Sequence, residues 1–179
     1  MNLYSIAASI SVVFIISLTV IYFVLSSTPN YEKLFASNFI PYQDVINTSD
    51  VRGSSDAISD INKAYQFYDS KQYIESSKTF YKEMKKGNKE ESTLFYYSIS
   101  LLALNKYYEA SKQLKELTID NDGLFYEQAK WYLCLSYIGQ KDVINANNIL
   151  QEIIKEQTYN FSKAQKILEK IKYFLNFIF

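Results

Sequence analysis

The fold is decided by a ten-residue stretch, KQYIESSKTF (71–80), that recurs twice further along the chain. The second copy is NKYYEASKQL (105–114), offset by 34 residues, and the third is KDVINANNIL (141–150), offset by a further 36. Self-similarity at a period of this size is typical of repeat architectures, in which each copy forms one supersecondary unit. The sequence therefore predicts three copies of one structural unit.

Small residues at matched positions show what that unit is. Two antiparallel helices approach closely only where both present small side chains. The predicted small-residue pairs are Ala64 with Ser76, Ser98 with Ala110, and Cys134 with Ala146. The polar turns between the helices are predicted at Lys71, Asn105 and Lys141, where the chain must reverse direction in a short, solvent-exposed turn. Because one hairpin cannot bury its apolar faces alone, the three are expected to stack into a solenoid.

The period and the order of small and aromatic positions resemble the tetratricopeptide repeat over about residues 57–154. The family's closing proline is missing, and Gly87 and the pair Asp122-Gly123 stand where each repeat would end. The resemblance implies that the first helices of successive repeats line a concave groove that binds a partner protein. The chain as a whole also resembles small bacterial membrane-anchored proteins of this family, which implies an inner-membrane location.

The groove predicted from this resemblance is apolar and aromatic. Its candidate partner-binding residues are Tyr65, Tyr68, Phe95, Ile99, Trp131 and Leu135. The family's carboxylate-binding site needs Lys and Asn at these positions and is not expected. Two interpretations stay open at this point. The side chains either form an open peptide site or pack as core against a neighbouring helix, the aromatic segment before the repeats, or the last helix.

The N-terminal region is uncharged from Met1 to Tyr31, and Ile6 to Leu25 is a run of apolar or small residues. A run of that length spans a bilayer core of roughly 30 Å as a helix. The sequence predicts a single transmembrane anchor in residues 1–28, with a cleaved signal peptide as the alternative. Lys33 is the only basic residue near enough to the anchor to influence its orientation in the membrane. We expect the repeats to lie outside the cytoplasm.

Residues 29–53 are predicted to be a juxtamembrane segment and linker. Its aromatic and apolar residues have helical spacing, and the helix is expected to end before Pro41. The cluster consists of Tyr31, Leu34, Phe35 and Phe39, followed by Tyr42. These rings indicate either a helix at the membrane interface or a recognition element.

The repeats are placed in residues 54–157 and a capping helix in 158–179, where apolar residues recur at helical spacing from Phe161 to Ile178. Repeat arrays need such a terminal helix to cover their last exposed face. The alternative is that the apolar end, Tyr173 to Phe179, forms an exposed patch for a partner or a bilayer.

The amino-acid composition excludes most common catalytic and metal-binding sites. The chain has no histidine, a single cysteine, and 19 basic against 19 acidic residues. Histidine bases, Ser-His and Cys-His nucleophile pairs and histidine-ligated zinc are therefore excluded, and a net charge of zero argues against nucleic-acid binding. We expect no catalytic residues, no cofactor and no metal, and we interpret Cys134 as a buried, inert thiol.

The resulting expectation is an all-α protein with an N-terminal transmembrane helix, a three-repeat solenoid and a capping helix. It would act as a membrane-anchored adaptor or scaffold that is not an enzyme, holding partner proteins on its concave surface and accessory to envelope protein assembly. The alternative is an obligate structural subunit of a permanent membrane complex. The expected location is the bacterial inner membrane, with the bilayer contacting Ile6 to Leu25 and the repeats periplasmic.

Overall fold

The computed structural model describes residues 11–22, 30–43 and 60–178, with side chains described as far as Lys172. Helices are the regular secondary structure of these residues, with no strand among them, which confirms the predicted all-α class. Helix α1 covers residues 11–22. The others are α2 (Tyr31–Asn38), α3 (Asp60–Asp69), α4 (Tyr73–Lys85), α5 (Glu91–Ala103), α6 (Tyr107–Glu116), α7 (Tyr126–Gln140), α8 (Val143–Glu156) and α9 (Phe161–Ile178).

Helices α3 to α9 form a linear array in which each helix packs on the next. The pairs α3 and α4, α5 and α6, and α7 and α8 are three hairpins, one for each copy of the sequence repeat. Contacts between α3 and α5 and between α5 and α7 place the first helices of the hairpins side by side. We call the face that α3, α5 and α7 form the inner face.

The three hairpin turns have the same backbone geometry. Lys71, Asn105 and Lys141 are left-handed, with φ of 59°, 58° and 63°. In each turn the left-handed residue donates its N–H to the carbonyl three positions back, and the next residue donates to the carbonyl five positions back. This pair of hydrogen bonds satisfies helix-terminal carbonyls. The repeat seen in the sequence is thus a repeat of backbone conformation.

The small residues lie where the hairpin helices cross. All six members of the predicted pairs have no exposed surface. In the first hairpin the Ser76 hydroxyl donates to the Ala64 carbonyl oxygen at 3.1 Å. In the third, the Cys134 sulfur lies 3.9 Å from the Ala146 carbonyl oxygen. A side chain meets the opposite backbone directly, which confirms the predicted close approach in these two hairpins.

Helix α9 closes the array by packing on α8. Four residues of its predicted apolar stripe are buried, namely Ala164, Ile167, Leu168 and Ile171, whereas Phe161 at its start is partly exposed. The helix therefore covers the last hairpin, as the stripe predicts. The side chains of the apolar end from Tyr173 onward lie outside the described residues.

In the N-terminal region, the central part of the predicted anchor is helical as α1, and every residue of α1 is exposed. None of the helices that the structure describes is both long enough and apolar enough to cross a membrane. Both ends of the predicted span from Ile6 to Leu25 lie outside the described residues. Residues 44–59, which include the last part of the predicted linker, also lie outside them.

Candidate functional site

The six candidate groove residues lie on the first helices of the three hairpins. They come from α3 (Tyr65, Tyr68), α5 (Phe95, Ile99) and α7 (Trp131, Leu135). None of these side chains is more than 5% exposed. No open apolar groove is therefore present at these residues. Much of the cover comes from residues 30–43, which we call the docked segment.

The docked segment begins with a short capped helix. The Asn30 side chain accepts a hydrogen bond from the Lys33 backbone N–H at 2.8 Å, a standard N-terminal cap. Leu34 and Phe35 are buried, and α2 packs against α7. Residues 39–43 follow the helix without regular secondary structure, and the backbone of Phe39 is extended. Pro41 disfavours the helical conformation at Ile40, the residue before it. One interpretation of these rings is a helix at the membrane interface. In the structure they pack against aromatic residues of the array.

Aromatic rings attach the docked segment to the array. The ring pairs are Phe35 with Tyr107 at 4.8 Å, Phe39 with Tyr132 at 6.1 Å, and Tyr42 with Phe95 at 5.3 Å. All three are edge-to-face pairs, which are worth about 0.5–1.5 kcal/mol each beyond the area they bury. Phe35 and Phe39 also stack on each other, with centroids 5.0 Å apart.

These contacts fix the direction of the docked segment. Its early residue Phe35 lies beside Tyr107, whose ring packs against Gly139 near the C-terminal end of α7. Its late residue Tyr42 lies 6.4 Å from Phe125, the residue just before α7 begins. The segment therefore runs antiparallel to α7 across the inner face.

Three tyrosine hydroxyls, one from each hairpin, hold the backbone of the docked segment. Each donates to a carbonyl oxygen of the extended part: Tyr132 to Ile40 at 2.6 Å, Tyr68 to Tyr42 at 2.5 Å, and Tyr96 to Gln43 at 3.4 Å. Recognition of carbonyl oxygens depends on chain conformation and not on side-chain identity. The inner face therefore holds the docked segment through its backbone carbonyl oxygens.

Two of these donors, Tyr132 and Tyr96, are absent from the predicted site, which names their sequence neighbours Trp131 and Phe95. The prediction names these neighbours because it assumes that large apolar rings line the groove. A tyrosine directly after the aromatic position in the second and third hairpins was the signal that could have found them.

Burial keeps the Tyr132 hydroxyl protonated. It raises the pKa of Tyr132 well above its ordinary value, and neighbouring tyrosines raise it further. Burial, and more weakly Glu32, also raise the pKa of Tyr107, which lies beside Phe35. A neutral hydroxyl donates a hydrogen bond and an ionised one does not. The Tyr132 hydroxyl is therefore in its donating form throughout the physiological pH range.

A cavity of about 340 Å³ lies beside the docked segment, at the start of α9. Its walls include Pro41, Trp131 and Tyr159. The Lys163 ammonium lies 5.9 Å from the centre of the Trp131 ring, a cation–π distance. Of the six candidate residues, Trp131 is the one that borders this cavity.

Among the described residues, no three or more His, Cys, Asp or Glu side chains form a group that could hold a metal ion. Cys134 is fully buried, and burial raises the pKa of its thiol above the ordinary value. Lys130 is buried but bonded to Glu156 at 2.8 Å and lies 3.1 Å from Glu152, an ion pair that joins α7 to α8.

Comparison with family models, with curated proteins and with solved structures gave no match for this chain.

Proposed function

We propose that the protein is a membrane-anchored adaptor of the tetratricopeptide type, whose inner face binds an extended peptide segment. The observation that carries the proposal is the set of three tyrosine hydroxyls, from three hairpins, on backbone carbonyls of the docked segment. In this form the protein's own residues 30–43 occupy the site. A partner binds by taking the place of that segment.

The docked segment indicates the chemistry of such a partner. Its extended part is the sequence FIPYQ (39–43), in which aromatic residues flank a proline. Proline favours the extended conformation, so a peptide of this kind loses little conformational entropy on binding. The proposed ligand is an extended peptide with an aromatic residue on each side of a proline. The protein supplies no chemistry of its own and serves to hold that partner at the membrane.

The anchor in this proposal is the apolar run from Ile6 to Leu25, and the proposed location is the bacterial inner membrane with the repeats outside the cytoplasm. Orientation is tested by a cysteine at Asn121, which is exposed, in a Cys134→Ala background. Labelling of intact cells with a membrane-impermeant maleimide supports the external orientation. Labelling that requires lysis contradicts it and assigns the repeats to the cytoplasm.

Displacement of the docked segment is tested with a fluorescent synthetic peptide of residues 30–43 and the full-length protein. The double variant Phe39→Ala/Tyr42→Ala loses ring contacts of the docked segment, and we expect it to bind the peptide. The wild type and the control Ile40→Ala, whose side chain is mostly exposed, should bind far less. If the folded double variant does not bind the peptide, the proposal is wrong.

One observation favours the second candidate, an obligate structural subunit: the inner face is already covered. In that case the docked segment is permanent core. The double variant then loses stability by several kcal/mol, in line with large-to-small core substitutions, and gains no affinity for the peptide. The same experiment therefore separates the two functions.

A further inference from the structure

Three large apolar side chains are exposed at matched positions of the repeat. They are Ile74, Tyr108 and Ile144, which are 51%, 73% and 68% exposed. Each is the second residue of the second helix of its hairpin. Scattered single apolar residues on a surface need no explanation, but repetition at one position of every hairpin forms a row. We call this row the apolar ridge.

The apolar ridge lies along one edge of the array. Each of its residues follows directly after a hairpin turn, at 70–72, 104–106 and 141–142. Because consecutive helices are antiparallel neighbours, all three turns fall on the same side. We call this side the hairpin-turn edge. The connections between hairpins, at 86–90 and 117–125, lie on the opposite edge.

The docked segment begins at the hairpin-turn edge. The docked segment runs antiparallel to α7, and its first contact, Phe35 with Tyr107, is near the C-terminal end of α7, at that edge. Asn30 is therefore placed there too. Eight residue steps separate Asn30 from Tyr22, the last described residue of α1, a reach of at most about 28 Å. The apolar N-terminal run is thus tied to the side of the apolar ridge.

The chain also leaves the array at this edge. Helix α9 returns antiparallel to α8, and it has 18 residues against 14. At 1.5 Å per residue it is about 6 Å longer than α8. The last residues of α9 carry the sequence YFLNFI (173–178), whose composition is apolar except for Asn176. Helix α9 therefore carries an apolar sequence towards the hairpin-turn edge.

Charge at the hairpin-turn edge is balanced. Each turn carries an exposed lysine, at positions 71, 106 and 141. Acidic residues follow closely at Glu75, Glu109 and Asp142. A balanced edge has no long-range attraction for anionic surfaces. Lysine stems and tyrosine rings nevertheless suit a boundary between apolar and aqueous phases.

We propose that the hairpin-turn edge rests on the bilayer, with the apolar ridge in the interfacial region of the lipid. The contact is apolar and does not depend on anionic headgroups. The inference builds on the proposed anchor, because the anchor brings this edge to the membrane. It adds a second attachment that fixes the tilt of the array and turns the opposite edge to the aqueous phase.

The opposite edge supplies a matched control. Ile119 is 83% exposed, yet it belongs to a single connection and is followed by Asp120 and Asp122. It is therefore an exposed apolar residue outside the proposed contact. A lipid surface that attracted any exposed apolar side chain would hold Ile119 as well as Tyr108.

The experiment uses the full chain in vesicles of phosphatidylcholine. Single cysteines replace Tyr108, Ile144 or Ile119 in a Cys134→Ala background and carry an environment-sensitive fluorophore. Phosphatidylcholine with brominated acyl chains then serves as the quencher. We expect loss of emission at positions 108 and 144, little loss at 119, and no change in this pattern at high salt. Flotation of the vesicles reports separately whether the chain is bound.

The outcomes separate the two proposals. A chain that fails to float with the vesicles overturns both the anchor and the edge contact. A chain that floats but shows equal quenching at the three positions, or none at 108 and 144, overturns the edge contact alone. Quenching at 108 and 144 that high salt abolishes overturns the apolar character of the contact. Unquenched labels whose emission changes with protein concentration overturn it in favour of a second copy of this chain.

Discussion

The hydroxyl of Tyr132 lies 2.6 Å from the backbone carbonyl oxygen of Ile40, although 92 positions separate the two residues in sequence. Tyr132 belongs to the third hairpin, and Ile40 precedes the first. This hydrogen bond and the ring contacts around it join the N-terminal docked segment to the far end of the array. The covering of the inner face therefore depends on a few identifiable contacts.

Replacement of Tyr132 by Phe removes that donor and keeps the ring. We expect a loss of about 1 kcal/mol in the free energy of unfolding, the usual net contribution of one hydrogen bond. Urea unfolding monitored by circular dichroism measures the change. The control is Tyr108→Phe, whose side chain is mostly exposed and should change nothing. Equal effects of the two substitutions would contradict the assigned hydrogen bond.

Stability should fall at alkaline pH. Burial raises the pKa of Tyr132 above its ordinary value of 10.0. Between the unfolded and folded pKa values, the unfolded chain releases this proton and the native protein keeps it, so unfolding is favoured as pH rises. The contribution of the protonated Tyr132 side chain to the free energy of unfolding is fully present below about pH 10, the pKa in the unfolded chain, and is lost as the pH rises above it. Unfolding free energies across this range, compared with Tyr132→Phe, should show a shallower decline in the variant.

Gly139 is required because the ring of Tyr107 packs against it. A Cβ at this position would lie 2.6 Å from atoms of that ring. We expect Gly139→Ala to destabilise the protein by about 1–3 kcal/mol through overpacking. Without the ring the sign should reverse, because Ala is favoured over Gly within a helix by about 1 kcal/mol. A double-mutant cycle with Tyr107→Ala measures this, and a destabilising effect in both backgrounds would rule out the contact.

Substitution of a left-handed turn residue by glycine should stabilise the protein, unlike the substitutions above. Lys141 has φ of 63°, and Asn105 has φ of 58°. Non-glycine residues adopt this conformation at a cost of roughly 1–2 kcal/mol, which is smaller for Asn. We expect Lys141→Gly to raise the free energy of unfolding by about 0.5–1 kcal/mol and Asn105→Gly to change it much less. Chemical denaturation gives both values, and destabilisation by Lys141→Gly would show that the turn carries no strain.

Overpacking tests the helix crossing in the hairpins. Ala110 and Ala146 are fully buried. We expect Ala110→Leu or Ala146→Leu to destabilise the protein by roughly 1–3 kcal/mol, because the added carbons have no free volume. Thermal unfolding measures the effect, with Asn148→Leu on the exposed side of α8 as the control. Wild-type melting temperatures for both alanine variants would exclude this register.

The hairpin array was accessible from the sequence because local signals encode it. Close helix crossing requires small residues, and the small residues Ala64 and Ser76 have small counterparts 34 residues later and a further 36 residues later. The turns recur likewise, since a left-handed residue and its two hydrogen bonds involve only neighbouring positions. Each of these signals lies within one repeat, so periodicity was sufficient to find them.

The docked segment could not be placed from the sequence. Phe35 and Phe39 have the spacing of a helix with one aromatic side, and that pattern fits a membrane interface as well as a protein surface. The acceptors of the tyrosine hydroxyls are backbone carbonyls, which every residue has. No residue type therefore marks the contact between Tyr132 and Ile40, and its two partners lie far apart in the chain.

The order of elements along the chain has a kinetic consequence. The docked segment is synthesised before the array, but its binding surface extends from Tyr68 to Tyr132. Contacts within the hairpins close short loops, whereas this contact closes a long one, at a greater entropic cost. During translation the segment therefore emerges without a surface to bind. We expect it to dock after the third hairpin has formed, as the last step of folding.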